Sequence, residues 1–324
     1  MKVVAFMGAG GNEVVLLEDR DDPVLASNQV LVAVDIAGLN PADLQQRQGR
    51  YPAPPGVVPD VAGLEVSGTV TARGSDVSRW AIGDRVFGLV AGGGLASRVA
   101  VHERCVTAVP QALSDEEAAA VPEVFITAHD ALTTQGELRA GEIVLIHGAS
   151  GAVGSAAVQL AIVLGATALG VVRREPSAES IRALGAEAVD GARVVPAVTA
   201  LTQGRGVDLV LELVGSSNLQ DDLALLATHG RIVVLSVASG SKVEIDLVRL
   251  MTRRATLRGT VLRARSVDEK AQAVARFTDE VVPMLTDGRV KPSIDSVFSV
   301  DDVHEAFDRL EAPGKTGKVL LRFA

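Results

Sequence analysis

Apolar and polar positions recur along the chain in two different rhythms. Residues 3–7, 14–17 and 29–35 alternate or cluster as short strands do, with Gly and Asp groups between them. Residues 66–70 and 84–88 read as further strands, and residues 92–108 as another strand pair after a glycine run. Asn40, Pro41, Ala42 and Asp43 open a short helical or turn segment, and residues 48–59 form a Pro/Gly-rich loop that carries Tyr51. This part of the chain is predicted to be mostly β.

The rhythm changes at Ser114. A serine ahead of Asp115, Glu116 and Glu117 is an N-cap with carboxylates in the first turn, and it begins an alanine-rich helix. A second helix is predicted over 125–133. From Glu142 onward, strands predicted at 143–147, 167–172, 208–214 and 231–237 alternate with helices, which argues for a parallel, doubly wound sheet. Residues 256–262 read as its last strand. Residues 268–286 and 301–310 follow as amphipathic helices, and 318–323 as a closing strand.

The stretch 142–174 organises the rest. A short apolar run leads into Gly148, Ala149, Ser150, Gly151, Ala152, Val153 and Gly154, then into an apolar stripe at helical spacing that ends at Gly165. Strand, glycine turn and helix in this order form a dinucleotide-binding fingerprint. Gly151 lacks a Cβ, so backbone can approach a pyrophosphate, and Gly154 lets the helix pack close to the strand. The helix N-terminus offers free N–H groups to phosphate. Ala149 replaces the usual first glycine.

The end of the second strand distinguishes the two dinucleotides. An acidic residue there bonds the ribose 2′-hydroxyl of NAD. This chain has Arg173 and Arg174, with Ser177 just beyond, and paired guanidinium groups suit the 2′-phosphate of NADP(H).

Composition narrows the function classes. A length of 324 residues suggests two domains, and 48% hydrophobic residues with 32 glycines fit a glycine-turned α/β protein. Aromatics at 3% and a net charge of −9 argue against a nucleic-acid partner. The N-terminus reads as a first strand rather than a signal peptide, and no apolar run approaches the roughly 18 residues of a membrane span. A soluble, cytoplasmic protein with no membrane partner is expected. Cys105 is the single cysteine, which excludes an internal disulfide framework and any multi-cysteine zinc site. It falls in a predicted strand and reads as a small hydrophobe. His102, His129, His147, His229 and His304 show no metal-binding spacing, and none is assigned to a metal. His147, at the end of a strand, reads as packing.

The order of these elements resembles the medium-chain dehydrogenase/reductase superfamily, and most closely its zeta-crystallin-like quinone oxidoreductases. The residues that carry the resemblance are Asn40 to Asp43, the run Gln46-Arg47-Gln48-Gly49-Arg50-Tyr51 and Pro54-Pro55-Gly56. Gly63 to Gly68, Gly83-Asp84-Arg85-Val86, Ile146 to Gly154 and Gly314 to Leu321 complete it, so it covers essentially the whole chain. The loop ending in Tyr51 is similar to that of the tumour-suppressor-inducible subgroup. Asn40 stands where the zinc alcohol dehydrogenases of the superfamily place a cysteine, and Leu64 where they place a histidine. A catalytic zinc needs about three protein ligands, so a zinc-free enzyme is implied.

The resemblance implies an α/β fold with a GroES-like, mostly β catalytic domain over 1–121 and 264–324. A Rossmann NADP(H)-binding domain, a doubly wound parallel sheet, would cover 122–263. It implies that Thr127, Val214, Gly215, Ser236 and Leu262 line the nicotinamide half of the cofactor, beside Gly151, Ala152, Val153 and Gly154 at the pyrophosphate, while Ser150 either fits the tight backbone or reaches the pyrophosphate or substrate. Tyr51 either hydrogen-bonds a quinone oxygen or packs on the neighbouring prolines. Asn40 either faces the substrate or stabilises the turn before Pro41. Without a metal, hydride delivery from NADPH to a conjugated acceptor is expected, the demand on the protein being chiefly positioning. Quinone reduction leads, with enoyl or enone reduction as the alternative and a non-catalytic NADPH-binding sensor or structural protein as the alternative of another class. Pairing of residues 256–262 with a second copy implies a homodimer.

Overall fold

The short rhythm of the first third is realised as a sheet built around one long strand, Gln29–Leu39, whose inward positions alternate along its first half as a half-buried strand requires. Its antiparallel neighbours are Glu65–Arg73, Lys318–Arg322 and Arg98–His102. The sheet runs Ile294–Ser299, Lys318–Arg322, Gln29–Leu39, Glu65–Arg73, Arg85–Leu89 and Val106–Ala108. Val30, Val32, Val34, Val66, Val70 and Phe307 form its core, the last from the helix Val303–Glu311. The structure, a computed structural model, describes residues 1–324. The chain divides into two compact units, Met1–Ile126 with Leu262–Ala324, and Thr127–Val261. No helix is long and apolar enough to cross a membrane.

Two expectations for the first unit need correction. The strand pair over 92–108 is interrupted by a 3₁₀ turn, Glu103–Cys105, so Cys105 lies in a turn, though it is buried. Side-chain bonds make the bend: Glu103 accepts the N–H groups of Ser78 and Arg79, and Trp80 Nε1 donates to the Glu103 carbonyl. The helix over 268–286 is two helices, Val267–Glu280 and Val282–Thr286, because Pro283 has no N–H to continue the ladder. Ile294–Ser299 escaped prediction: as an edge strand it lacks a clean buried face.

In the second unit six strands run parallel in the order Glu187–Asp190, Thr167–Val172, Ile143–Ile146, Val207–Glu212, Leu226–Val234 and Thr256–Gly259. The chain enters at a central strand, steps outward to one edge, then crosses back. Ile143–Ile146 and Val207–Glu212 therefore flank the switch point where such sheets bind ligands. The four-residue edge strand Glu187–Asp190 was not predicted, and the final strand ends at Gly259, short of residue 262. The strands predicted over 208–214 and 231–237 lie earlier, so Val214 and Ser236 fall in the loops beyond them. The helix predicted over 125–133 starts at Pro122 and ends in a π-helical turn, Asp130–Gln135, closed by Gly136 N–H on the Ala131 carbonyl at 2.9 Å.

Candidate active site

The glycine turn shows why each small residue is needed. Gly148 has φ +64°, a left-handed conformation that favours glycine. A Cβ on Gly154 would lie 2.3 Å from the Gly148 carbonyl and 2.7 Å from Ala149 Cα, so only glycine lets the helix Ala152–Val163 start this close to the strand. Ala149 is fully buried, and its own methyl is accommodated because position 170 opposite is glycine. Gly151 is the N-cap, and the first-turn N–H groups that follow it lack intrahelical partners. They point a positive dipole end outward. Ser150 is half-buried in this turn.

Arg173 and Arg174 leave the end of Thr167–Val172 exposed, and neither guanidinium is engaged in an ion pair. Ser177 differs from them. It sits in the helix Glu175–Ala183, only 6% exposed, with its N–H on the Arg174 carbonyl at 3.1 Å.

The loop after Val207–Glu212 is held by a buried carboxylate. Glu212 Oε1 accepts the N–H groups of Val214 at 2.5 Å and Gly215 at 2.8 Å, and Oε2 accepts Asn218 Nδ2 at 3.0 Å. His147 Nε2 lies 2.7 Å from Asp222 Oδ1 and 3.9 Å from Glu212 Oε2. Burial opposes charge on His147, but the Asp222 hydrogen bond and the charges of Asp222, Glu212 and Asp221 outweigh it and raise its pKa. Burial pushes Asp222 up to about 6 against the pull of His147. His147 is thus part of a polar clamp rather than apolar packing. His147, Glu212 and Asp222 offer ligand atoms within 4.8 Å of one another, as a cation site would. Three donors already bind the Glu212 oxygens, however, and the imidazole is bonded directly to Asp222 Oδ1, so of the cluster's oxygens only Asp222 Oδ2 is left without a partner.

Two buried oxygens in this unit have no partner, Asp222 Oδ2 and Thr127 Oγ1. A partnerless buried hydroxyl costs free energy unless a ligand meets it. Thr127 Oγ1, the open helix N-terminus and the unpaired Arg173 and Arg174 together fit a dinucleotide with its phosphates. Gly215, at φ +123°, is wedged against Val237 Cα, where a Cβ would approach to 2.9 Å. Ser236 is half-buried, its hydroxyl accepting Ala238 N–H at 3.4 Å.

The candidate residues of the first unit sit on a lattice of buried charge. Asn40 is 6% exposed and precedes the helix Pro41–Arg47. Its Nδ2 donates to Glu65 Oε1 at 3.1 Å and to the Gly38 carbonyl, and its Oδ1 accepts Lys318 Nζ at 2.6 Å. Lys318 also pairs with Glu65 in a very short contact. Glu65 Oε2 accepts the N–H of Glu123 at 2.8 Å. Asp43 caps both Asn40 N–H, at 2.7 Å, and Gly63 N–H, at 3.0 Å. Burial lifts Asp43 to about 6, and burial with the Glu65 charge lifts Glu123 to about 8. Tyr51 is half-buried, with Arg263 over its ring. Leu262, 7% exposed, belongs to this unit and lies beyond the strand that ends at Gly259. Sequence reasoning gave no role to Glu123, Arg263 or the His147–Asp222 pair. Glu65 and Lys318 were noticed only as parts of motifs.

The description "Zinc-binding dehydrogenase" matches residues 152–311, and "Alcohol dehydrogenase GroES-like domain" matches residues 26–111. The chain is 33% identical to the quinone oxidoreductase of Sus scrofa, over 99% of this chain and 97% of the relative. The structure of a Pseudomonas syringae quinone oxidoreductase superposes with a TM-score of 0.89 at 30% identity, covering 99% of each chain. The Escherichia coli quinone oxidoreductase complexed with NADPH superposes with a TM-score of 0.89 at 26% identity, covering 100% of each.

Proposed function

Because the chain belongs to the quinone oxidoreductases of the medium-chain dehydrogenase/reductase superfamily, we propose that it reduces a quinone with NADPH and without zinc. The pair Arg173 and Arg174 carries the cofactor assignment. Two unpaired guanidinium groups at the end of the second parallel strand suit a 2′-phosphate, and no carboxylate takes the place of the NAD ribose ligand. Asn40 and Leu64 stand in place of two zinc ligands and offer a carboxamide already bonded on both ends and an alkyl group.

NADPH supplies the hydride when bound. The quinone takes up that hydride and one proton from solvent to leave as hydroquinone. Gly151, Ala152, Val153 and Gly154, with Ser150, would hold the pyrophosphate, and Arg173, Arg174 and Ser177 the 2′-phosphate side. Thr127, Val214, Gly215 and Ser236 of the second unit would line the nicotinamide half, as Leu262 of the first would, and the Thr127 hydroxyl has no partner within the protein. Tyr51 donates a hydrogen bond to the acceptor oxygen as negative charge develops there, and keeps its proton. Asn40 acts indirectly, by fixing Lys318 and Glu65 behind the start of the helix Pro41–Arg47.

We also propose a homodimer. Thr256–Gly259 is an open sheet edge, and Val237, Val243, Leu247, Val248, Met251 and Leu257 on the same unit are exposed apolar side chains. Cys105 is buried and alone, so no disulfide calls for an oxidising compartment and the cytoplasm is the proposed location.

The acceptor assignment is tested by following NADPH absorbance with a bulky ortho-quinone and, separately, with an enoyl thioester. Fast loss with the quinone is expected. Loss with the thioester alone would move the chain to the alkene reductases, and binding of NADPH without turnover on either would leave a sensor.

A further inference from the structure

Tyr51 is the only tyrosine of the chain, and its hydroxyl makes no hydrogen bond within the protein, although the ring is half-buried. Such a ring in a Pro/Gly-rich loop needs something to hold it. Arg263 is in place to do so. It is 6% exposed, and its Cζ lies 5.0 Å from the Tyr51 ring centroid, within cation–π range. The guanidinium is itself anchored on three sides: Nη2 donates to Gln46 Oε1 at 2.5 Å, Nε to the Ala91 carbonyl at 2.8 Å and Nη1 to the Tyr51 carbonyl at 3.3 Å. Arg263's own carbonyl accepts Lys270 Nζ at 3.1 Å. No carboxylate pairs with the guanidinium.

We propose that Arg263 is the positioning residue of the acceptor site, a fixed cationic platform that holds the Tyr51 ring and leaves its hydroxyl free for the carbonyl oxygen of a quinone-class acceptor. This rests on the reading of Tyr51 as the donor to that oxygen. A planar fork is required, because one Nη holds the loop through the Tyr51 backbone while the other reaches Gln46. A lysine ammonium keeps the charge and loses the fork. The charge has a second consequence. Burial raises the Tyr51 phenol, the Arg263 charge lowers it, and Glu123 raises it again. A guanidinium facing the ring therefore favours the partial negative charge that builds on the phenol oxygen as its O–H donates to the acceptor.

The test is a double-mutant cycle with Arg263→Lys and Tyr51→Phe, read in kcat/KM for an ortho-quinone. Binding of NADPH, followed by its fluorescence, certifies each variant as folded. Arg263→Lys alone is expected to lose on the order of tenfold to a hundredfold, the effect of a misplaced reacting group. In the Tyr51→Phe background it is expected to lose almost nothing further. An equal loss in both backgrounds would overturn the proposal, since Arg263 would then be merely structural. Gln46→Leu, which removes the shortest anchor and leaves the charge, should give a smaller loss with the same coupling.

A second readout needs no turnover. Fluorotyrosine incorporation gives one fluorine resonance, that of Tyr51, and its pH midpoint should rise in Arg263→Gln. An unchanged midpoint contradicts the platform even if Tyr51→Phe is inactive. A raised midpoint with full activity in Tyr51→Phe would instead refute Tyr51 as the donor while leaving the platform intact.

Discussion

Both units bury a polar cluster behind a candidate ligand-binding segment, and they neutralise it differently. In the first, the buried Asp43 and Glu65 and the half-buried Glu123 surround Lys318, a lysine that pairs with Glu65 and Asn40. In the second, Glu212 and Asp222 face one imidazole, His147, and three neutral donors from the loop they hold. A lysine ammonium keeps its charge across the neutral range, whereas an imidazole is poised to change there. The first arrangement locks a scaffold. The second secures a loop through hydrogen bonds, with little fixed charge.

The largest effect should come from breaking the fixed pair. Lys318→Met leaves Glu65 buried without its cation, and a cost of about 3–5 kcal/mol is expected, read as a large fall in melting temperature. An unchanged melting temperature would mean that Lys318 is not the anchor of the lattice. The corresponding change in the second unit is milder. Glu212→Gln keeps an acceptor for Val214 and Gly215 but sets an amide against Asn218, so NADPH binding should weaken on the order of tenfold with the fold retained. A stability loss matching that of Lys318→Met would erase the contrast between the units.

A smaller effect separates the clusters by pH. Burial and the Glu65 charge push Glu123 up to about 8 in the folded chain, against about 4.3 when unfolded. Its stabilising contribution is full below the unfolded value and lost as pH rises through about 8. Melting temperature should therefore fall from pH 5 to 8.5 more steeply in the wild type than in Glu123→Gln, and parallel curves would contradict the raised value. The smallest expected effect is none. Chelator treatment should leave quinone reduction unchanged, because His147 Nε2 is bonded to Asp222 Oδ1 and both Glu212 oxygens are bonded to the loop.

The turn 148–154 and the alternation from Glu142 were legible because they rest on local chemistry: glycines at close approaches, apolar runs of strand length and a helical stripe. The position of Arg173 and Arg174 at the end of the second parallel strand was legible for the same reason, being dictated by the turn upstream. Edge strands were not: Glu187–Asp190 is short and Ile294–Ser299 lacks a buried face. The partners of the buried charges were illegible because they are remote in sequence. Lys318 meets Asn40 across 278 positions, and Arg263 meets Gln46 across 217. The sequence carries no periodic sign of such pairs, and His147 read as packing because Asp222 lies 75 residues away.

The central claim is that the chain uses NADPH to reduce a quinone, and the initial rate with an ortho-quinone, taken side by side with NADPH and NADH, tests it most directly. Charge-assisted bonds from Arg173 and Arg174 to a 2′-phosphate predict a kcat/KM ratio of roughly 10 to 100 in favour of NADPH. Equal use of the two nucleotides, or preference for NADH, would contradict the account.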